Sequence, residues 1–166
     1  MPSAAEVAET YFGAVARRDL EGMGACWKPG ARSNIVGLSQ LTGPDGVVAW
    51  FGDLFRAFPD FTMEIDRVIG KKGSVAVQWS ATATFNGTGT FEGFKPNGAR
   101  IAIQGIDILT VEEGLITSLF AVQNGLDLAR QLGVVPPQGS KADKAMAGAI
   151  NAKTAAMKRY EKFRDR

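Results

Sequence analysis

The stretch from Gly98 to Gly133 constrains the fold most tightly. It reads GARIAIQGIDILTV, then EEG, then LITSLFAVQN, then GLDLARQLG. Two apolar, β-branched runs flank the turn Glu112-Glu113-Gly114, which predicts a β-hairpin. Leu126, Leu128, Ala129 and Leu132 then repeat at helical spacing, and Gly133 followed by Pro136-Pro137 stops that helix. The second strand is therefore expected to end at Asn124, where a sheet hands over to a helix. A polar side chain at such a strand end can point into whatever cavity the sheet encloses.

Helices precede the strands. Ser3 and Glu6 stand at capping-box spacing ahead of Val7, Tyr11, Ala14 and Val15, which repeat at helical period. Asp19 caps a second helix over 20–27, broken at Pro29-Gly30, and a short strand carrying Asn34 fits 31–36. Gly43-Pro44-Asp45-Gly46 starts a third helix with a broad apolar face, Val47, Val48, Phe51, Leu54, Phe55 and Phe58, and Pro59 ends it. Residues 61–69 and 74–85 alternate as strands about a Lys71-Lys72-Gly73 turn, and 86–97 reads as a Gly-rich loop. Helices first and a strand meander after predict an α+β fold: N-terminal helices gathered on one side of a curved, mostly antiparallel sheet, forming a cone with an interior pocket.

A chain of 166 residues fits one such domain, 1–137, with 138–166 as a C-terminal helical extension. Ala142, Ala145, Met146, Ala149, Ile150, Met157 and Tyr160 form one stripe of that extension, and Lys153, Lys158, Arg159, Lys162, Arg164 and Arg166 make its end basic. An amphipathic helix docked on the body or on a second subunit explains the pattern. The alternative, a membrane-surface or acidic-partner role, is weakened because the stripe is mostly alanine.

Absences narrow the chemistry. The sequence contains no histidine, which excludes histidine acid–base catalysis, Ser-His-Asp triads and histidine metal sites. The single Cys26 and scattered acids predict no zinc site and no intrachain disulfide, and fit a reducing compartment. Net charge is +2 with cations spread thinly along the body, so nucleic acid is not an expected partner. No run approaches the ~20 apolar residues of a membrane span, and the chain is expected to be cytoplasmic.

AFPDF at 57–61, the strand bearing Trp79, ATFNG at 83–87, FEGFKPNG at 91–98, GIDILTVEEGLI at 105–116 and ARQLGVVP at 129–136 follow in one order. Together they resemble the SnoaL-like polyketide cyclases, within the larger group that shares the fold of nuclear transport factor 2. The resemblance covers roughly residues 4–137. It implies the same α+β cone, a deep apolar pocket, frequent homodimers, no cofactor, and ring closure of an aromatic polyketide by intramolecular aldol condensation. In the cyclases an aspartate seven residues before the Gln of QLG is the general acid/base; Gln131 places Asn124 there. Phe85 stands where the family tends to have a histidine, and Phe120 where a tryptophan is common. An amide cannot remove a proton alpha to a carbonyl, so Asn124 can only orient or polarise through hydrogen bonds.

Counting by twos puts Ile116, Ser118, Phe120, Val122 and Asn124 on one strand face, which the resemblance turns inward. Gln104 and Asp107 lie on opposite faces of the partner strand, so at most one of them reaches the pocket. Asp107, between Ile106 and Ile108, is the carboxylate whose pKa an apolar setting would raise; its alternative is a backbone hydrogen bond or a pair with Arg100 or Lys95. The expected site is thus Asn124 and Asp107 for chemistry, with Asn34, Trp27, Phe51, Trp79, Phe85, Gln104 and Phe120 around a small aromatic ligand. The aromatics serve equally as core. Three readings follow: a cyclase-type or tailoring enzyme, a non-catalytic binder of small apolar molecules, and an interaction module that dimerises through its sheet. A buried carboxylate facing the pocket separates the first from the second, and a plugged pocket marks the third.

Overall fold

The computed structural model describes residues 1–164. In chain order the elements are α1 (Ala4–Arg17), α2 (Leu20–Ala25), β1 (Trp27–Ile35), β2 (Ser39–Thr42), α3 (Asp45–Ala57), β3 (Thr62–Lys71), β4 (Ser74–Thr84), β5 (Arg100–Glu112), β6 (Leu115–Gln123), α4 (Gly125–Gln131) and α5 (Lys141–Arg164). The six strands form one curved, unclosed sheet in the order β2-β1-β6-β5-β4-β3. The α+β class and the N-terminal helices on one side of a mostly antiparallel sheet follow the sequence reading. One join does not come from a meander: β1 runs parallel to β6, and β2 folds back antiparallel on β1 at the sheet edge.

Local chemistry sets the element ends. The Ser3 hydroxyl accepts from Glu6 N at 3.2 Å while the Glu6 carboxylate accepts from Ser3 N at 2.7 Å, a complete capping box. The buried face of α1 presents Val7, Ala8, Tyr11, Phe12, Ala14 and Val15 to the sheet, where α1 lies over β3, β4 and β5. The loop after β4 docks on the end of α3, Gly87 N donating to Ala57 O and Thr88 N to Arg56 O, each at 2.9 Å, so carbonyls left over by the helix are used. The hairpin turn is tighter than predicted. Glu112 still pairs with Leu115, leaving Glu113 and Gly114, both at positive φ (53° and 78°), as a two-residue turn whose twist suits the strands.

The sheet holds one irregularity with consequences for the site. Thr110 pairs with Ser118 and Val111 with Ile116, so β6 carries an extra residue at Thr117. A single inserted residue exchanges the two faces of everything beyond it. Ile116 is inward, but after the bulge the inward residues are Leu119, Ala121 and Gln123, while Ser118, Phe120 and Val122 turn outward. The expectation that Phe120 faces the interior is therefore corrected.

The C-terminal helix α5 has no buried residue, and Arg130 on α4 reaches Asp143 on it at 3.7 Å. Among the described residues no helix is long and apolar enough to cross a membrane.

Candidate functional site

A cavity of about 80 Å³ lies under the concave face of the sheet, walled by α1, α3, α4 and strands β1, β3, β4, β5 and β6. Phe12, Leu54, Phe58, Met63, Ile101 and Leu128 give much of its apolar wall. Asp107 from the middle of β5 opens into it. Its neighbours on the strand, Ile106 and Ile108, point the other way and are about half exposed, so they are not what buries it. The burial comes from the cross-strand row. Trp79 on β4 pairs with Gly105, two residues before Asp107 on the same face. A Cβ at Gly105 would sit 2.3 Å from the Trp79 ring, so only glycine lets the indole lie flat against β5. In that position Trp79 Nε1–H donates to Asp107 Oδ1 at 2.8 Å.

Asp107 is 7% exposed and no lysine or arginine among the described residues pairs with it. Burial lifts its pKa from 3.8 to about 7, and the indole hydrogen bond, which favours the carboxylate, offsets only part of that rise. Such a group gains and loses its proton near neutrality, as a general acid or base must. Tyr11 of α1 lines the same cavity; burial first, and the nearby Asp107 charge second, hold its phenol far above the usual tyrosine range, so it stays a neutral O–H.

The residues expected from the sequence divide three ways. Asp107, Trp79 and Phe51 line the cavity. Trp27 and Phe85 are buried in the core behind it: Trp27 meets the Tyr11 ring edge-on at 5.8 Å between centroids, and Phe85 stacks on Phe58 at 4.8 Å. Asn34, Gln104 and Phe120 lie on the other side of the sheet, opposite in strand parity to Ser33, Ile103 and Leu119, which line the cavity.

Asn124 is outside the cavity as well. It is the exposed N-cap of α4, its side-chain oxygen accepting from Asp127 N at 3.0 Å. That use explains a short polar residue at the end of β6 without any ligand. Asn124→Ala is accordingly expected to cost about 1 kcal/mol in urea unfolding, and Asn124→Asp, an equally good cap, close to nothing. Gln131 is structural too. β6 stops opposite Gly105, leaving the β5 edge bare at Ala102, and the Gln131 amide takes the place of a strand there: Oε1 accepts from Ala102 N at 2.7 Å and Nε2 donates to Ala102 O at 3.0 Å. This clamp holds α4, and with it Leu128, against the cavity.

Tyr11, Ser33 and Gln123 were not anticipated as lining residues. Tyr11 fits the apolar stripe of α1 and reads as core; Ser33 and Gln123 are each one position away from a residue singled out, on the opposite strand parity.

The sequence model of the SnoaL-like domain matches residues 8–119. The chain belongs to the SnoaL-like family. Among curated proteins none matches the sequence significantly. Solved structures share the fold. AclR from Streptomyces galilaeus, proposed to be a hydroxylase, superposes with a TM-score of 0.67 at 23% identity, over 93% of this chain and 94% of its own. A SnoaL-like polyketide cyclase from Agrobacterium tumefaciens gives 0.64 at 17% identity, over 80% and 100%. An LEH-like epoxide hydrolase from M. tuberculosis gives 0.61 at 15%, over 77% and 87%. The AclR match is longer than residues 1–137 could supply, so it includes part of the C-terminal extension of this SnoaL-like protein.

Proposed function

We propose that this SnoaL-like protein is an enzyme of the polyketide-cyclase type, or a tailoring relative, that moves a proton on an aromatic, polyketide-like molecule without a cofactor. The supporting observation is Asp107, a carboxylate buried against an apolar cavity with, among the described residues, one hydrogen bond and no cation, titrating near neutrality. A protein that only sequesters apolar ligands has no use for so costly a group. In this reading Asp107, not the residue seven before Gln131, is the base, and Asn124 transfers no proton. In an aldol cyclisation Asp107 removes a proton alpha to a carbonyl; the resulting enolate carbon attacks a second carbonyl of the same molecule, and the new alkoxide recovers the proton. The cavity is smaller than the ~150 Å³ that accommodates benzene in an engineered protein core, so entry has to displace lining side chains.

The test is deuterium uptake alpha to the carbonyl of aryl ketones such as 2-tetralone, followed by NMR. Wild type is expected to exceed the buffer rate, with turnover climbing as pH rises through about 7, where Asp107 ionises. No rate above buffer from pH 5 to 9 would sink the reading.

The same family setting supports a homodimer through the outer sheet face. Ile106 pairs with Val122 and Ile108 with Phe120 across β5 and β6, all four between 44% and 49% exposed. Uncharged Asn34, Gln78, Gln104 and Ser118 flank them, with Arg32 beside Ser118 and Arg67 beside Gln78 further out, so a second copy of the chain meets an apolar centre with a polar and charged rim. Light scattering is expected to give twice the 17.7 kDa chain mass at micromolar concentration, and Ile108→Glu to give the monomer. A monomeric wild type would overturn the assignment.

A further inference from the structure

The cavity is built almost wholly from carbon, and the side chains that can donate a hydrogen bond into it can be taken one by one. The Trp79 indole N–H goes to Asp107 and the Trp50 indole N–H to Glu92 Oε1 at 2.8 Å. Gln123 Nε2 reaches Val36 O at 3.4 Å. Two hydroxyls remain, those of Tyr11 and Ser33. Both residues line the cavity, they are 2% and 4% exposed, and neither O–H has an acceptor among the described residues. Neither oxygen is among the fully enclosed polar atoms that lack a partner, so each keeps some surface towards the cavity, where an incoming acceptor can meet it. The Trp27 indole N–H lies against the Tyr11 oxygen, outside good hydrogen-bond geometry, and leaves the phenol proton free to be given elsewhere.

Position distinguishes the two hydroxyls. Ser33 is on β1, two strands from β5 in the sheet order, hence about 10 Å away at the usual ~4.8 Å strand spacing. Tyr11 comes down from α1, which lies over β5, and it feels the Asp107 charge directly. Tyr11 and Asp107 are also the titratable residues among those lining the cavity. An O–H donor with no acceptor beside a carboxylate with no cation is the arrangement that receives a neutral molecule carrying one oxygen acceptor next to an acidic C–H.

Resting on the acid–base reading above, we propose that Tyr11 donates the hydrogen bond that holds the carbonyl oxygen of an enolisable ketone while Asp107 moves the proton. As the Asp107 carboxylate takes the alpha proton, the C–H pair becomes the enolate C=C bond and the carbonyl π pair moves onto oxygen. The developing oxyanion is held by the Tyr11 O–H. The proton on Asp107 returns to carbon, or to the alkoxide if the enolate carbon has closed a ring. No oxidant, reductant or second substrate enters the balance. Because a donor aimed at the oxygen strengthens its bond as charge develops, Tyr11 acts on the rate more than on ground-state binding.

The test uses the full chain. In the 2-tetralone exchange assay Tyr11→Phe, which keeps the ring and its packing, is expected to lower turnover by about 10²–10³-fold with little change in KM, and to leave the rise of rate with pH in place. By calorimetry, wild type is expected to bind 2-naphthol at least tenfold more tightly than naphthalene, and Tyr11→Phe to lose that preference. Incorporation of 3-fluorotyrosine at position 11, a stronger donor of nearly the same shape, is expected to tighten 2-naphthol binding and guards against a Tyr11→Phe variant that folds poorly. If Tyr11→Phe stays within twofold of wild type in turnover and keeps the oxygen preference, Tyr11 is a core residue and the proposal is overturned, while exchange that still requires Asp107 leaves the acid–base reading standing. If wild type catalyses no exchange yet shows a Tyr11-dependent preference for 2-naphthol, the acid–base reading and the proton step fall, and the oxygen-binding role of Tyr11 alone is upheld.

Discussion

Asp107→Asn is expected to lower proton transfer by about 10²–10⁴-fold, the usual contribution of a positioned base, and at the same time to stabilise the protein at alkaline pH. The second effect follows from linkage. The folded pKa is about 7 and that of the free side chain 3.8, so between those values the folded chain holds a proton that the unfolded chain has released. The unfolded state binds fewer protons, and stability falls as pH rises through this window. A difference of about three pKa units corresponds to something on the order of 4 kcal/mol, fully present below pH 4 and lost above pH 7. Asparagine has the same shape and no charge to bury, and it can still accept from the Trp79 indole. Urea unfolding at pH 5 and pH 8 checks this: wild type should lose stability between the two and Asp107→Asn should lose much less. Equal losses in the two proteins would mean that some other group carries the pH dependence.

Gly105→Ala is expected to be the most damaging small substitution near the site. Its methyl would lie 2.3 Å from Trp79 Cζ2 and 2.7 Å from Cε2, closer than any real contact, and the ring is buried with nowhere to go at no cost. Overpacking of this kind costs about 1–3 kcal/mol. The functional consequence separates it from an ordinary core change. Displacing the indole removes the hydrogen bond that lowers the Asp107 pKa, so the rate should rise with pH at a midpoint above about 7. A variant destabilised without any movement of that midpoint would show that the indole contributes packing alone.

What could be read in the sequence was what local chemistry fixes. The Ser3–Glu6 box, the apolar stripe of α1, the break at Pro59 and the hairpin about Glu113-Gly114 all depend on residues a few positions apart, whereas the helix expected over 20–27 ends at Ala25 and Pro29 lies inside β1. Asp107 was found from its immediate neighbours, although Ile106 and Ile108 turned out to face outward and the desolvation to come from Trp79 and the far side of the cavity. Contacts set at long range were not legible. No residue near β1 announces that it will lie parallel to a strand nearly ninety positions later. The extra residue at Thr117 costs no obvious signature in a β-branched run, yet it moved Phe120 from the expected inner face to the outer one. Asn124 was singled out by its distance from Gln131, and both residues prove to serve α4, one as cap and one as clamp. Tyr11 was hidden because a tyrosine on a helix stripe looks the same whether its hydroxyl ends in packing or in a cavity.

The hydrogen bond from Trp79 to Asp107 gives the protein a built-in optical signal. An indole whose N–H meets a carboxylate at 2.8 Å experiences a different electric field when that carboxylate gains a proton, and its absorption and emission respond. The other two tryptophans have other surroundings: the Trp27 N–H lies against the Tyr11 oxygen without a well-formed hydrogen bond among the described residues, and Trp50 is held by the exposed Glu92. Light emitted from position 79 thus reports the protonation of the proposed base from inside the cavity, and any molecule that enters and changes that protonation becomes visible without a label.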